Sequence, residues 1–374
     1  MRHFPQILLA VLCTWTSLVK ASEFPNAMNL TKGLRHVAKV AYTHVSPPIE
    51  VKSLRIDPAA LDSETKSELD QFFSKGHVRI AVMSRGDRII YENYKPFLSR
   101  RDTPLGYSMS KSLTALLVGQ ALCDGHLKSL DETVGTYVPA LRNTVWGDAS
   151  IEHLLTMTSG AFRTLPTGMK SEEEAVKIRP IYDGFYNGRL EDFFKQAEER
   201  NFPAGKNFNY SNYDTLALGL LIEAATGKRF IDYFSESLWR VVGAESRGAW
   251  IVGNKGETMS FVGFSATPFD WIRVGRFVLD QLKQPETCMG KFIHAATTSK
   301  IATNNRWLGE GYGYQIWTSC GGPFDFCFVG YGGQFLYFNK SKDMVIYQHA
   351  AMESQSVFIA PRITFARAIK SLPE

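Results

Sequence analysis

The chain has 374 residues, 44% of them hydrophobic and 13% aromatic, which is enough apolar side chain for one large core or two closely packed ones. Charged residues make up 21% and nearly balance, leaving a formal net charge of +5. Such a chain is globular, and its charge gives no electrostatic reason to expect nucleic acid as a partner.

In chain order, residues 1–21 carry Arg2, the apolar run Ile7-Leu8-Leu9-Ala10-Val11-Leu12 and the ending Val19-Lys20-Ala21. This pattern reads as a secretory signal peptide, too short to span a membrane. The expectation is a periplasmic or secreted protein whose mature domain, residues 22–374, is not inserted in a membrane. Asn29-Leu30-Thr31 matches a glycosylation sequon, relevant only in a eukaryotic secretory pathway. The charged run from Asp62 to Glu68 reads as a solvated helix face. His77 to Met83 and Ile89 to Tyr94 read as two strands joined by a turn at Gly86-Asp87.

A helix follows from about Tyr107, with Leu113, Leu116, Leu117 and Gln120 or Ala121 at helical spacing, and Asp124-Gly125 stops it after Cys123. From about Ser129 to Glu257 the signals are helical and loop-like. Short helices are expected over Ile151 to Met157, Leu190 to Arg200, Leu216 to Thr226 (ending at Gly227) and Phe230 to Val242. Phe269 to Leu282 gives another, with Trp271, Val274, Phe277 and Val278 on one face. Strands return at Gly311 to Ser319, Phe326 to Gly330, Gln334 to Phe338 and Met344 to His349, before a last helix over Arg362 to Lys370. The glycine-rich Gly309-Glu310-Gly311-Tyr312-Gly313 lacks the context of a dinucleotide site and reads as a bend before a strand. The expected fold class is α+β, an α/β sandwich. Its antiparallel sheet comes from about 70–125 and 260–374, flanked by helices, with a mainly helical region inserted at about 126–259.

Four cysteines lie beyond the leader. Cys320 and Cys327 flank a turn between strand-like runs, where a disulfide and two free thiols both remain open. Cys123 reads as a small buried hydrophobe on the inner side of its helix. The eight histidines show no paired-ligand spacing, so no metal is expected, and His153 reads as a packed helix residue.

The chemistry is signalled by Ser108-Met109-Ser110-Lys111, because positions i and i+3 of a helix share a face and place an amine beside a hydroxyl. A serine needs such a base to become a nucleophile, and lysine serves once its pKa is depressed. The helix N-terminus adds positive potential where an alkoxide would form. Ser63-Glu64-Thr65-Lys66 and Ser17-Leu18-Val19-Lys20 share the spacing, but only Ser108 heads a long apolar helix. Tyr210-Ser211-Asn212 follows a turn-rich stretch and precedes a helix beginning near Asp214, so a phenol and an amide can face one cavity. Tyr91-Glu92-Asn93 and Tyr337-Phe338-Asn339 match that pattern too. The order Ser108, Lys111, Tyr210, Asn212, then Gly330-Tyr331-Gly332-Gly333-Gln334 opening a strand is what makes the set specific. No Gly-x-Ser-x-Gly elbow is present to support an α/β-hydrolase triad.

These motifs resemble those of the serine β-lactamase and penicillin-binding protein superfamily, namely Ser-x-x-Lys, a Tyr-x-Asn element and a Lys-Thr-Gly type strand. The resemblance covers about Val78 to Ile369 and is closest to the class C branch and its esterase and amidase relatives. Ser129-Leu130-Asp131-Glu132 adds to it. His153 to Gly160, Gly263 to Pro268, Tyr-Ser-Asn and Gly-Gly-Gln resemble 6-aminohexanoate-dimer hydrolases in particular.

The resemblance implies a β-lactamase/transpeptidase-like fold and a cofactor-free acyl-enzyme mechanism. Ser108 would be the nucleophile and Lys111 and Tyr210 the acid–base groups, with the Lys111 ammonium holding Tyr210 toward phenolate. Asn212 would orient Lys111 and contact substrate, and the backbone N–H groups of Ser108 and Gln334 would form the oxyanion hole. Tyr331-Gly332-Gly333 departs from the pattern, since tyrosine replaces the lysine that holds a β-lactam or D-alanyl carboxylate. The expected partner is therefore a small-molecule ester or linear amide. The alternatives are a peptidoglycan D,D-peptidase or β-lactamase, and a catalytically silent binding protein of the same fold. Tyr312, Tyr314, Trp317 and Tyr331 either line an apolar pocket or pack within the sheet. Tyr182 and Tyr186 fall in a mid-chain loop and receive no role.

Overall fold

Alternate residues of a β-strand face opposite sides of a sheet, and in this chain both sides of the main sheet are buried. The computed structural model describes residues 42–48, 50–161, 194, 200–253, 256–305, 307–350 and 356–372. Its first half contains β1 (Tyr42–Val45), β2 (Arg55–Ile56), α1 (Ser63–Lys75), β3 (Val78–Arg85), β4 (Arg88–Tyr94), α2 (Met109–Cys123), α3 (Val134–Tyr137), α4 (Ile151–Leu155) and α5 (Asn212–Thr226). The second half contains α6 (Phe230–Phe234), α7 (Arg240–Val242), β5 (Gly248–Ile251), β6 (Phe264–Ser265), α8 (Pro268–Leu282) and α9 (Cys288–Ala296). It ends with β7 (Ile301–Asn305), β8 (Gly309–Tyr312), β9 (Trp317–Thr318), β10 (Phe326–Gly330), β11 (Gln334–Asn339), β12 (Met344–Ala350) and α10 (Ser356–Ser371).

Among the described residues, nine strands form the main sheet in the order β2-β4-β3-β12-β11-β10-β9-β8-β7, so the N-terminal hairpin pairs with the C-terminal strand β12. All pairs are antiparallel except β2 with β4. On β3, Ile80 and Val82 enter one apolar layer and Ala81 and Met83 the other; on β11, Leu336 and Phe338 oppose Phe335 and Tyr337 in the same way. The first layer is closed by α2, α8 and α9 and the second by α1 and α10, giving the α+β sandwich expected from the sequence. Because α2 lies between the sheet and the other helices, it is buried almost all round from Met109 to Ala121, and no polar stripe is needed. Gly119 allows the contact with α9, since a Cβ there would sit 2.4 Å from the Phe292 ring.

Several expectations are corrected. The single strand foreseen over Gly311 to Ser319 is two strands, β8 and β9, with a reversal between them. Gly313 meets the Ala296 carbonyl too closely for any Cβ, and Gln315 adopts φ +55° with its buried amide donating to the Leu154 carbonyl at 2.7 Å. Gly309 to Tyr312 is accordingly strand and not a bend. The helix foreseen over Phe230 to Val242 contains a π-helical turn at Ser235–Trp239. The helical middle also contributes β5, which joins β1 and β6 in a separate three-stranded sheet. Helix α9 and strand β7 were not anticipated. The leader, Asn29, Tyr182, Tyr186 and most of the helix expected at Leu190 to Arg200 lie outside the described residues.

Cys123 is not a free buried thiol: it is disulfide-bonded to Cys288, and Cys320 to Cys327. The first bond joins the end of α2 to the start of α9 across 165 residues of sequence, a loop long enough for a large entropic effect on the unfolded chain. Replacing both Cys123 and Cys288 by Ala is expected to lower unfolding free energy by about 2–5 kcal/mol in denaturant titrations. An unchanged midpoint and slope would mean that α9 is held by packing alone.

Candidate active site

Ser108 is the N-cap of α2, but its hydroxyl makes no capping bond, which leaves Oγ available for other partners. Lys111 Nζ lies 3.1 Å from it, hydrogen-bond distance in either direction for an amine and a hydroxyl, and donates to the Phe261 carbonyl at 2.8 Å. Lys111 is 1% exposed, and burial pushes its pKa well below the ordinary lysine value. Polar residues in the same apolar helix explain why Phe261 is there. Ser110 Oγ accepts from the Phe264 N–H at 2.9 Å and Thr114 donates to the Ser260 carbonyl at 2.8 Å, tying residues 260–264 along α2. The anchoring carbonyl was missed in the sequence, although Ser110 and Thr114 on a buried face were its signal. Tyr107, just before the nucleophile, has φ +49°, a left-handed conformation costing about 1–3 kcal/mol for a non-glycine residue.

Tyr210 arrives on a loop zipped to the turn after α4: Gly205 N–H donates to the Thr158 carbonyl and Asn209 N–H to the Met157 carbonyl, both at 2.8 Å. The Tyr210 phenol stands close enough to the Ser108 hydroxyl to lower its own pKa by that interaction, and its ring lies 5.1 Å from Lys111 Nζ. Trp317 stacks behind it at 5.8 Å, with Phe208 and Tyr312 completing a buried aromatic wall. Burial raises the Tyr210 pKa, partly opposed by the Ser108 hydrogen bond. Both shifts favour the neutral groups, an amine and a phenol.

Ser211 caps α5 by accepting from the Tyr213 N–H, so Asn212 is the first residue of that helix and half-buried. Three residues after the cap, Asp214 is fully buried and accepts from Ser159 Oγ at 2.7 Å and Trp146 Nε1 at 3.0 Å. Burial raises its pKa to about 7 despite those donors. This carboxyl, unassigned in the sequence, joins the Tyr-Ser-Asn loop to the His153 to Gly160 stretch; the Ser211-x-x-Asp214 spacing of a capping box was its trace. His153 packs at the third position of α4 and exchanges capping bonds with Ser150.

The third motif forms the turn between β10 and β11. Gly332 and Gly333 have φ +78° and +89°, and a Cβ on Gly330 would lie 2.2 Å from the Gly106 carbonyl, so this turn approaches the segment leading into Ser108 as closely as backbone allows. The Tyr331 ring is half-buried 5.7 Å from that of Tyr107. Burial raises the Tyr331 pKa to about 12.

Residues 80–351 match the Beta-lactamase family model. The chain belongs to this family. A 6-aminohexanoate-dimer hydrolase of Paenarthrobacter ureafaciens is 25% identical over 218 residues, 57% of this chain and 55% of that protein, so the match spans about half of the relative's length. Among solved structures, one from Bacillus anthracis, provisionally described as a 6-aminohexanoate-dimer hydrolase, superposes with TM-score 0.74 at 18% identity over 94% of this chain and 100% of its own. A D-stereospecific amidohydrolase from Streptomyces gives TM-score 0.59 at 18% identity over 81% of this chain and 98% of its own.

Within the Beta-lactamase family frame, Lys111 is brought against both Ser108 and Tyr210, with Asn212 at the start of α5, Tyr331 and Gly333 on the turn before β11 and Gln334 opening that strand. The aromatic residues divide: Tyr312 and Trp317 pack behind Tyr210, and Tyr314 is buried against Phe292 with its hydroxyl donating to Glu152 at 2.6 Å. They are packing residues, and of the four only Tyr331 stands beside the entry to Ser108.

Proposed function

We propose that the protein is a serine hydrolase that cleaves a carboxylic ester or linear amide through an acyl-enzyme. The observation that carries this reading is Ser108 Oγ lying 3.1 Å from the buried Lys111 amine, which itself sits 5.1 Å from the ring of the buried Tyr210. The neutral Lys111 amine takes the Ser108 proton as Oγ attacks the carbonyl carbon. The backbone N–H groups of Ser108 and Gln334 receive the developing oxyanion, each such donor contributing about 3–4 kcal/mol in comparable sites. Collapse of the tetrahedral intermediate releases the alcohol or amine, protonated by Tyr210, which regains a proton from the Lys111 ammonium. Water then attacks the acyl-enzyme, giving up its proton to the same pair, and the acid leaves with Ser108 restored. Asn212 contributes a substrate contact from the start of α5.

Tyr331 favours this reading over a D,D-peptidase or β-lactamase, because a neutral hydroxyl stands where those enzymes place a cation for the substrate carboxylate. The relationship to a 6-aminohexanoate-dimer hydrolase favours a linear amide as one substrate class. Two disulfides support an oxidising compartment, the periplasm or the exterior, as the place where it acts. The test is to measure initial rates with p-nitrophenyl butyrate, a 6-aminohexanoate dimer and nitrocefin side by side. Turnover of the ester or the amide with nitrocefin left intact is expected. Fast nitrocefin hydrolysis would assign to Tyr331 the work of the missing lysine and replace this reading with the β-lactamase one.

A further inference from the structure

The side chain of Gln334, whose backbone opens β11, is turned inward and 2% exposed. Its Nε2 donates to the Tyr331 carbonyl at 3.1 Å and to the Ala350 carbonyl at 2.8 Å, so one amide ties the start of the Tyr331–Gly333 turn to the end of β12. With Nε2 committed as donor, Oε1 is the acceptor, and it faces His349 Nδ1. That contact sets the tautomer: Nδ1 carries the proton and Nε2 is a bare lone pair, buried and without a hydrogen-bond partner among the described residues. Burial and the nearby Arg79 charge lower the His349 pKa to about 3, so the ring stays neutral with its single N–H directed at Gln334.

The backbone around the pair is adapted to it. The ladder between β12 and β3 shifts register between His349 and Ala350, beside the carbonyl that accepts from the Gln334 amide. Gln348 reinforces the same turn by donating from Nε2 to the Gly333 carbonyl at 3.0 Å. Two successive glycines with positive φ would otherwise leave this turn loosely determined.

We propose that His349 is a positioning residue: its Nδ1–H orients the Gln334 amide, which holds the Tyr331–Gly333 turn and so aims the Gln334 backbone N–H at the carbonyl attacked by Ser108. The catalytic half of this statement rests on the hydrolase reading above, whereas the clamp itself does not. His349→Asn keeps a donor where Nδ1 stands, and His349→Gln, of similar polarity, places its amide where Nε2 stands. Ester hydrolysis by the full chain is expected to lose about 10- to 100-fold in kcat for His349→Gln with KM little changed, and to stay within about threefold of wild type for His349→Asn. Hydrogen–deuterium exchange over Tyr331 to Phe335 is expected to rise in the Gln variant and not in the Asn variant, a readout that stands whether or not the chain hydrolyses the ester. Equal kcat in the two variants of an active enzyme would overturn the positioning role, and equal exchange would overturn the clamp. A wild-type chain that turns over neither ester nor amide would overturn the hydrolase reading, with exchange still deciding the clamp.

Discussion

Ser108→Ala is expected to lower kcat/KM for any ester or amide substrate by about 10³-fold or more, because it removes the hydroxyl that lies 3.1 Å from the Lys111 amine. The hydroxyl makes no cap bond to α2 and is only half-buried, so its removal should shift the melting temperature by no more than a few degrees. A fluorophosphonate probe should label the wild type at Ser108 and leave the variant unlabelled. Hydrolysis by the variant at the wild-type rate would exclude Ser108 as the nucleophile.

Lys111→Met carries the second large effect. It removes the base while filling most of the same space, so acylation should fall by at least about 10³-fold. Its stability signature is distinct. The folded-state pKa of Lys111 lies well below its unfolded value, so the unfolded chain binds the extra proton. The stability linked to the neutral amine is fully present above the unfolded lysine pKa of about 10.4 and is lost as pH falls toward the folded-state value. The melting temperature of Lys111→Met relative to wild type should therefore climb as pH is lowered through that window. In the wild type, kcat/KM should rise with pH to a plateau reached far below the ordinary lysine range. A flat difference in melting temperature would mean that Lys111 keeps its charge in the folded protein, and another base would have to be sought.

The core machinery was legible in the sequence because its signals are local. Ser108 and Lys111 are one helical turn apart on an apolar helix stopped by Asp124-Gly125, and Tyr210-Ser211-Asn212 precedes a helix ended by Gly227, whose φ is +66°. The strands from Phe326 to Ala350 were legible as continuous apolar runs because both faces of the sheet are covered. What was misread depended on partners distant in the chain. Cys123 looks the same in sequence whether buried or bonded, and its fate is set by α9 arriving beside the end of α2. The division of Gly311 to Ser319 into two strands depends on the Ala296 carbonyl pressing on Gly313.

By its sequence alone this chain determined its class of fold, the order of its three motifs and the helical geometry that sets lysine beside serine, since each follows from spacing and periodicity within a few residues. Only the tertiary structure decided the electrostatics and the supports. The lowered pKa of Lys111 and the raised pKa of Tyr210 come from burial by segments brought together by folding, among them the Phe261 and Trp317 rings. Asp214 and the Gln334–His349 pair acquire their roles from neighbours brought together by folding. Local pattern selects which side chains can react, and desolvation by the folded chain selects the protonation states in which they meet.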